Sequence, residues 1–318
     1  MGASSKDLHV NKVLTKMVMG YRPMGMIADM LFPIVVVDKQ SDIYLEADRG
    51  EILRDKRTER SPGTEANLVV DEFGSATYYA RNYALKRSVT IEDKANADPA
   101  MVLSKVTNKA QRCLDDIYLN WEIRIASKVI NTSNVGSSSA VSSGWSGAGD
   151  PLGDTEAAID NIHYANGVPK AGIKVTFGPQ AWDSFRRDST VRNAIFGADN
   201  GGGYPNASQV KALLDVGEVS VGDAFKNTGA KGQSEALSTI WGDNVLVHYT
   251  PDTPSTELPS FGYTFRWQGN GLPAPLTVER HPYDSRKKAE EVEVGVYQDE
   301  KITGASYGYL LVAVNSST

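Results

Sequence analysis

One long stretch of helical periodicity constrains this chain more than any other feature. From Asp98 to Asn131 the apolar residues recur at spacings of three and four, and Pro99 suits the first turn of a helix behind Asp98. At 1.5 Å per residue, this helix would be roughly 45 to 50 Å long. It is the longest predicted element, and it cannot be stable alone. Its apolar stripe consists of Leu103, Val106, Ala110, Cys113, Leu114, Ile117, Trp121 and Ile125.

The residues before this helix predict a long two-stranded ribbon. Residues 76–91 alternate between two faces, of which only one is moderately apolar. Paired with the strand before residue 57, they would form a hairpin whose tip contains residues 61–64. Two strands cannot bury a core, so something else must hold such a ribbon. The moderately apolar face carries Tyr83, Leu85, Arg87, Val89 and Ile91.

The ribbon carries a dense and balanced set of charges. Between Glu46 and Arg60 there are five basic and five acidic residues, and the turn Pro62-Gly63 follows. Proline presets φ for the first central position of a turn and glycine accepts a positive φ at the second, so residues 61–64 suit a type II turn. The basic residues are Arg49, Arg54, Lys56, Arg57 and Arg60, and the acidic ones are Glu46, Asp48, Glu51, Asp55 and Glu59.

The first residues predict an arm rather than a domain. Residues 8–20 have the pattern of a short amphipathic helix that ends at Gly20, and its stripe needs a partner. A helix cannot continue through Pro33, and the β-branched run IVVV that follows it is typical of extended chain. The stripe of the arm consists of Val10, Val13, Leu14, Met17 and Val18.

The second half of the chain predicts a compact α/β unit followed by β-strands. A Ser/Gly-rich loop over 132–153 is the clearest candidate boundary before it. After Pro259 the alternation is that of strands. The predicted helices are 155–166, one helix over 179–196, and 208–216; the predicted strands are 172–178, 218–221, 244–250, 263–268, 276–283, 290–303 and 306–314.

Composition narrows the classes of protein. The chain has 318 residues, with 41% hydrophobic and 23% charged residues, which is ordinary for a globular protein. A net charge of -6 argues against a surface that wraps duplex DNA, which needs clustered Lys and Arg. The single cysteine, Cys113, excludes an intramolecular disulfide and is expected to be a small buried hydrophobe. No signal peptide or bilayer-spanning run is found, so we expect a protein made in the cytoplasm, with no membrane contact.

The sequence offers no catalytic motif. It lacks GxSxG, HExxH, CxxC and Walker patterns, so we expect no catalytic residue, no cofactor and no metal. The acidic pairs at 115–116 and 290–291 are interpreted as solvated faces. An alternative, a cytoplasmic enzyme, would use Asp183 or His248 in the α/β unit. The histidines, which are scattered and interpreted as structural or surface residues, are His9, His163, His248 and His281.

These parts together resemble a known family. An arm ending in a Leu-Phe-Pro sequence, a charged ribbon closed by an Arg-Ser-Pro-Gly-Thr-Glu turn, and an Ala-Asp before a long helix with a tryptophan resemble the major capsid proteins of tailed bacteriophages, which have the Hong Kong ninety-seven capsid fold. The detailed resemblance covers about residues 27–125. The matching residues are Ala28-Asp29, Leu31-Phe32-Pro33, Arg54-Asp55, Arg60-Ser61-Pro62-Gly63-Thr64-Glu65, Ala95-Asn96-Ala97-Asp98 and Trp121.

The resemblance implies an α+β fold and a division of the chain. An N-terminal arm would cover 1–42 and an extended E-loop 43–92. A peripheral P-domain with a spine helix would cover 93–151 and the C-terminal strands at 261–318, and an axial A-domain would cover 152–260. The ribbon would lie across an adjacent subunit, where balanced charges pair between chains. The intersubunit contact candidates are Arg49, Arg54, Arg57, Arg60, Pro62, Gly63, Glu65, Val13 and Met17.

The resemblance also implies a function and partners. The chain would be the structural protein of a virion, self-assembling as hexamers and pentamers into an icosahedral shell that encloses double-stranded DNA without sequence-specific binding. Separate scaffolding and portal proteins are expected, and a decoration protein is a further candidate partner. A bacterial nanocompartment shell protein, encapsulin-like, shares the fold and is the alternative in the same class.

Overall fold

The computed structural model describes residues 25–47, 50, 53–56, 58–63, 65, 66, 68, 73–96, 102–141, 143–197, 203–254, 258–269 and 275–315, and their helices and strands form a mixed α+β fold. In chain order these are α1 (Ala28–Leu31), β1 (Ile34–Val37), β2 (Ser41–Ala47), β3 (Phe73–Tyr79), β4 (Arg81–Thr90), α2 (Ile91–Ala95), α3 (Val102–Val129), β5 (Ser137–Ala140), α4 (Pro151–Asn166), β6 (Ile173–Phe177), α5 (Pro179–Arg187), α6 (Ser189–Phe196), α7 (Ala207–Leu214), β7 (Glu218–Val221), β8 (Phe225–Asn227), β9 (Leu237–Thr239), β10 (Val245–Tyr249), β11 (Gly262–Trp267), β12 (Leu276–Asp284), β13 (Ala289–Ile302) and β14 (Gly308–Val312). Short 3-10 turns cover Thr132–Asn134, Lys170–Gly172 and Ala305–Tyr307.

The first sheet is organised around the long strand β13. Its strand order is β1-β11-β13-β12, and β4 also pairs with β13. β4 pairs with the first part of β13, from Ala289 to Gln298, and β11 pairs with the last part, from Gln298 to Ile302. Alternate residues of β13 are buried, as the strict alternation of valine and glutamate in its sequence predicts.

Helix α3 confirms the long helix that the sequence predicts, and its apolar side chains belong to two separate hydrophobic cores. Its first half packs against the first sheet, with Val106, Leu114 and Ile117 in one cluster with Val292 and Val294. From Trp121 onward its apolar residues belong to a second and larger cluster, which includes the α/β lobe. The helix therefore joins the sheet and the lobe along a single axis.

The α/β lobe has a sheet with the strand order β5-β14-β10-β6-β7. β6 and β7 are parallel, whereas β10 runs antiparallel to β6 and β14. Apolar side chains of α4, α5, α6 and α7 pack into the same core as this sheet, so the lobe has a buried centre of its own. The strands predicted at 172–178, 218–221 and 244–250 are confirmed within one residue at either end.

The prediction of one continuous strand over 76–91 is wrong. The chain changes partner at the buried Ala80, whose amide donates to the Gln40 carbonyl at 2.8 Å. On one side β3 pairs with β2, and on the other β4 pairs with β13. The physical reason is that the two halves bury different side chains: Tyr78 packs on Phe265, whereas Val89 packs under α3. Only β2 and β3 form the paired stem of the ribbon.

The predicted helix over 179–196 is two helices. Asp188 lies between them in an extended conformation, and its side chain accepts hydrogen bonds from the amides of Thr190 and Val191. An aspartate in this position caps a new helix, which favours a break over a continuous helix. The helix predicted at 155–166 begins earlier, at Pro151, behind the capping residue Asp150.

The chain from 132 to 153, predicted to be a loop, contains β5 and buried side chains. β5 pairs in parallel with β14. Trp145 is buried, its ring nitrogen donates to Asp154 at 2.8 Å, and its amide donates to the Val314 carbonyl at 2.7 Å. The resemblance places the last strand with the other C-terminal strands of the P-domain, whereas β14 pairs with β10 in the lobe and its Leu310 and Leu311 lie in the lobe core.

One small hairpin has no counterpart in the sequence prediction. β8 and β9 pair in antiparallel fashion, and the Asn227 side chain accepts hydrogen bonds from the amides of Gly229 and Ala236. Phe225 and Leu237 of this hairpin are exposed. Three-residue strands give too little alternation to be recognised from sequence. In the described part of the chain, no helix has the length and apolar character needed to cross a membrane.

Candidate assembly interface

The stem of the ribbon, β2 and β3, has one anchored face. Tyr44 and Tyr78 are buried against Phe265, with ring centroids 5.0 and 4.7 Å apart, and Tyr263 completes this cluster. Burial raises the pKa of Tyr44 to about 12, so its hydroxyl stays neutral. The anchored face attaches the stem to β11. This attachment stabilises a strand pair that would be only marginally stable alone.

The opposite face of the stem is apolar and open. Ile43 and Leu45 are 62% and 48% exposed, and Tyr79 is 55% exposed. Because side chains alternate along a strand and Ser41 pairs with Tyr79, these three residues share the face turned away from Phe265. Contiguous exposed apolar side chains on a strand pair are typical of a surface that another protein covers.

The tip of the ribbon has the predicted turn geometry. Gly63 has a φ of +83°, as the second central residue of a type II turn requires, and nothing lies within 4 Å of the place where a side chain would stand. The candidates Arg54, Arg60, Pro62 and Glu65 are all exposed. The structure therefore leaves these four side chains open to solvent. The candidates Arg49, Arg57, Val13 and Met17, and with them the predicted helix at 8–20, lie outside the described residues.

A cleft lies beside the anchored stem. It has a volume of about 620 Å³ and lies between Glu46 and Gly74 of the stem and residues 303–307, with Pro259 also in its lining. Beyond the stem, Leu53 approaches Gly167 at the end of α4, so the ribbon passes along the lobe of its own subunit. The ribbon is thus supported at its base on β11 and contacts the lobe through Leu53.

The residues suggested for an enzyme do not form a catalytic site. His248 is buried, and burial lowers its pKa to about 3, so the ring is neutral and closed to solvent. Its Nδ1 lies 2.9 Å from the Thr250 hydroxyl. Asp183 pairs with Arg186 at 2.6 Å on one helix. Cys113 is buried, as predicted. Among the described residues, no group of three His, Cys, Asp or Glu side chains could hold a metal ion.

Three of the four acids in these pairs, Asp116, Glu290 and Glu291, form ion pairs, which corrects their interpretation as purely solvated. Asp116 contacts Arg87 at 2.5 Å. Glu290 contacts Lys94 at 2.5 Å, and Glu291 contacts Lys86 at 2.9 Å. These pairs join β4 to β13, β4 to α3 and α2 to β13, so they depend on contacts between distant segments that local sequence does not reveal. The sequence also gives no sign that Phe265 anchors the stem. That role depends on the contact between β11 and the stem, two segments that are distant in sequence.

The long helix packs under a sheet, the α/β lobe lies at its end, and the stem of the ribbon packs on β11. This arrangement is similar to the fold of phage capsid proteins. The chain is 24% identical to the major capsid protein of Burkholderia phage BcepMu over 99% of its own length and 100% of the relative. The structure matches a phage-related protein from Bordetella bronchiseptica with a TM-score of 0.77 and 23% identity, covering 98% and 99% of the two chains. It matches the capsid of the cyanophage P-SCSP1u with a TM-score of 0.57 and 14% identity, covering 99% and 96%. No family model matches the sequence.

These matches confirm the predicted α+β fold of the capsid type and the resemblance to the major capsid proteins of tailed phages. They do not favour the nanocompartment alternative, and they indicate a structural role.

Proposed function

We propose that copies of this chain assemble as hexamers and pentamers into an icosahedral shell around viral double-stranded DNA, with the ribbon as the clasp between neighbouring copies. The observation that carries the clasp is the two-faced stem: Tyr44 and Tyr78 fix one face, while Ile43, Leu45 and Tyr79 are exposed on the other. A fixed stem with an open apolar face loses little conformational freedom on docking, which favours association.

The charges at the tip support the same proposal. Arg60 and Glu65 are exposed, and within the described residues neither has an ion-pair partner. Exposed charges of both signs can pair with complementary charges on a neighbouring copy. Because the two signs balance, bringing many copies together does not build up electrostatic repulsion at this contact. Arg49, Arg54, Arg57, Pro62 and Gly63 are proposed to belong to this contact. Val13 and Met17 are proposed to contact another subunit through the N-terminal arm.

The domain division is proposed with two adjustments. The pairing of β4 with β13 supports ending the E-loop after Tyr79 and assigning β4 to the P-domain. The pairing of β14 with β10 supports assigning the last strand to the A-domain. The arm, the spine helix α3 and the axial domain keep the ranges that the resemblance implies.

The wider role follows from the same fold. We infer synthesis in the host bacterial cytoplasm, separate scaffolding and portal proteins, and a decoration protein as a further candidate. We infer contact with DNA without sequence preference, since the net charge is -6. We also infer no catalytic activity and no cofactor, supported by the burial of His248 and the pairing of Asp183.

The test is assembly of a stem variant. Ile43→Ser combined with Leu45→Ser removes the open apolar face and leaves Tyr44 and Tyr78 in place. We expect the variant to fold with wild-type helix content and to form few or no shells by electron microscopy. Leu237→Ser, which changes a comparably exposed leucine on the β8–β9 hairpin, is the matched control and should still assemble. Full shell yield from the double variant would contradict the clasp.

A further inference from the structure

A buried carboxylate joins three parts of the molecule that are far apart in sequence. Glu122 lies on α3, and its side chain is 0% exposed. Oε2 accepts a hydrogen bond from the Ala28 amide at 2.8 Å, and Oε1 accepts one from the Trp241 ring nitrogen at 2.6 Å. The Ile27 amide lies 3.2 Å from both oxygens. The donors thus come from the end of the arm and from the lobe, 95 and 119 residues away from Glu122.

This carboxylate is costly to bury. No described Lys, Arg or His forms an ion pair with Glu122, and burial raises its pKa while the N–H donors favour its charged form. A buried charge without a counter-ion is tolerated only where several hydrogen bonds satisfy it. An apolar residue here would fill the same space without that cost. The arrangement therefore fixes geometry, since each donor defines where one segment must lie relative to α3.

Glu122 lies at the point of α3 where the two hydrophobic cores and the end of the arm meet. Ile117 belongs to the core of the first sheet and Trp121 to the core of the lobe, so Glu122 lies where α3 passes from one to the other. The arm meets the lobe at the same place: Gly25 has a φ of +80°, and a side chain there would stand 3.3 Å from the Asp223 carbonyl oxygen. Ile27 and Leu31 are buried in this junction.

We propose that Glu122 is a positioning residue that couples the direction in which the N-terminal arm leaves the subunit to the seating of the lobe on α3. A displacement of the lobe moves Trp241, which shares Oε1 with the Ile27 amide. The carboxylate then turns, and the first turn of α1 loses its acceptor. The functional consequence rests on the proposed function, in which the arm contacts another subunit: a change at the lobe would redirect that contact.

The test uses a change on the lobe and a readout on the arm. Trp241→Phe keeps an aromatic ring but removes the donor to Glu122. Among the described residues, Trp241 is joined by hydrogen bonds to the arm's amides only through Glu122. We expect hydrogen–deuterium exchange at the Ile27 and Ala28 amides of the full-length, unassembled chain to rise about tenfold. Glu122→Gln should produce a rise of the same order, because its single carbonyl oxygen cannot accept from both Trp241 and the arm.

Controls separate coupling from loss of stability. Trp182→Phe, a tryptophan change elsewhere in the lobe, should leave exchange at Ile27 and Ala28 at the wild-type rate. Amides of β13 serve as an internal reference and should not change in any variant. A wild-type rate at Ile27 and Ala28 in Trp241→Phe would overturn the coupling, even if Glu122→Gln failed to fold. Shell formation by the wild type is scored separately by electron microscopy, so its absence would count against the proposed function and not against the coupling.

Discussion

Two regions of this protein mix acidic and basic residues closely, and they use them differently. Beside β4 and β13 the charges pair within the chain: Glu291 contacts both Lys86, at 2.9 Å, and Lys287, at 2.7 Å. At the ribbon tip, Arg60 and Glu65 are exposed and form no ion pair with any other described residue. Composition alone does not distinguish the two regions.

The difference lies in what stands next to each region. β13 has a neighbouring strand on either side, so the sheet register brings Lys86 next to the glutamates of β13. At the tip, nothing stands within 4 Å of the Gly63 Cβ position. Paired charges stabilise the subunit on their own, whereas exposed charges at the tip are available to a second molecule.

The largest expected effect comes from detaching the ribbon from the subunit. Phe265→Ala removes the ring on which Tyr44 and Tyr78 pack, and large-to-small changes of buried aromatics cost about 3–5 kcal/mol. We expect a loss of that order in the free energy of unfolding, measured by denaturant titration. Tyr79→Ala on the open face should leave this free energy nearly unchanged. Equal losses in the two variants would remove the distinction between an anchored and an open face.

A smaller effect is expected at the tip. Gly63→Val places a β-branched residue at a φ of +83°, which costs about 1–3 kcal/mol in the turn. The turn should then open, and shell yield should fall while thermal stability of the subunit stays unchanged. Gly203→Val, at another open position without a positive φ, is the matched control. Arg60→Glu should also lower shell yield, most strongly at low salt. Full yield from both tip variants would show that the tip is a passive surface turn.

The smallest effect concerns acid stability in the paired region. Hydrogen bonds from Lys287 and Lys86 lower the pKa of Glu291 from 4.5 to about 2. A lowered folded-state pKa stabilises the protein above pH 4.5, and this contribution is lost as the pH falls toward 2. Glu291→Gln should therefore flatten the fall in melting temperature over this range. Glu65→Gln at the tip should retain the wild-type slope, and a flattened slope there would contradict the comparison.

The sequence by itself determined the long helix, the alternation of β13, most strands of the lobe and the turn at Pro62-Gly63. Each of these is set locally. Apolar spacing fixes which face of α3 is buried, valines on alternate positions fix the faces of β13, and a proline followed by a glycine presets a turn. The arm and ribbon residues also carried the resemblance to phage capsid proteins, which the comparisons confirm.

Tertiary structure alone decided which strand pairs with which and which polar side chains meet. The break at Ala80, the transfer of β14 to the lobe and the junction at Glu122 all join segments that are distant in sequence. Alternation shows that a strand has a buried face, but it does not say what covers that face, because any apolar surface satisfies the same pattern. The anchored stem therefore became visible only when Phe265 was seen beneath Tyr44 and Tyr78.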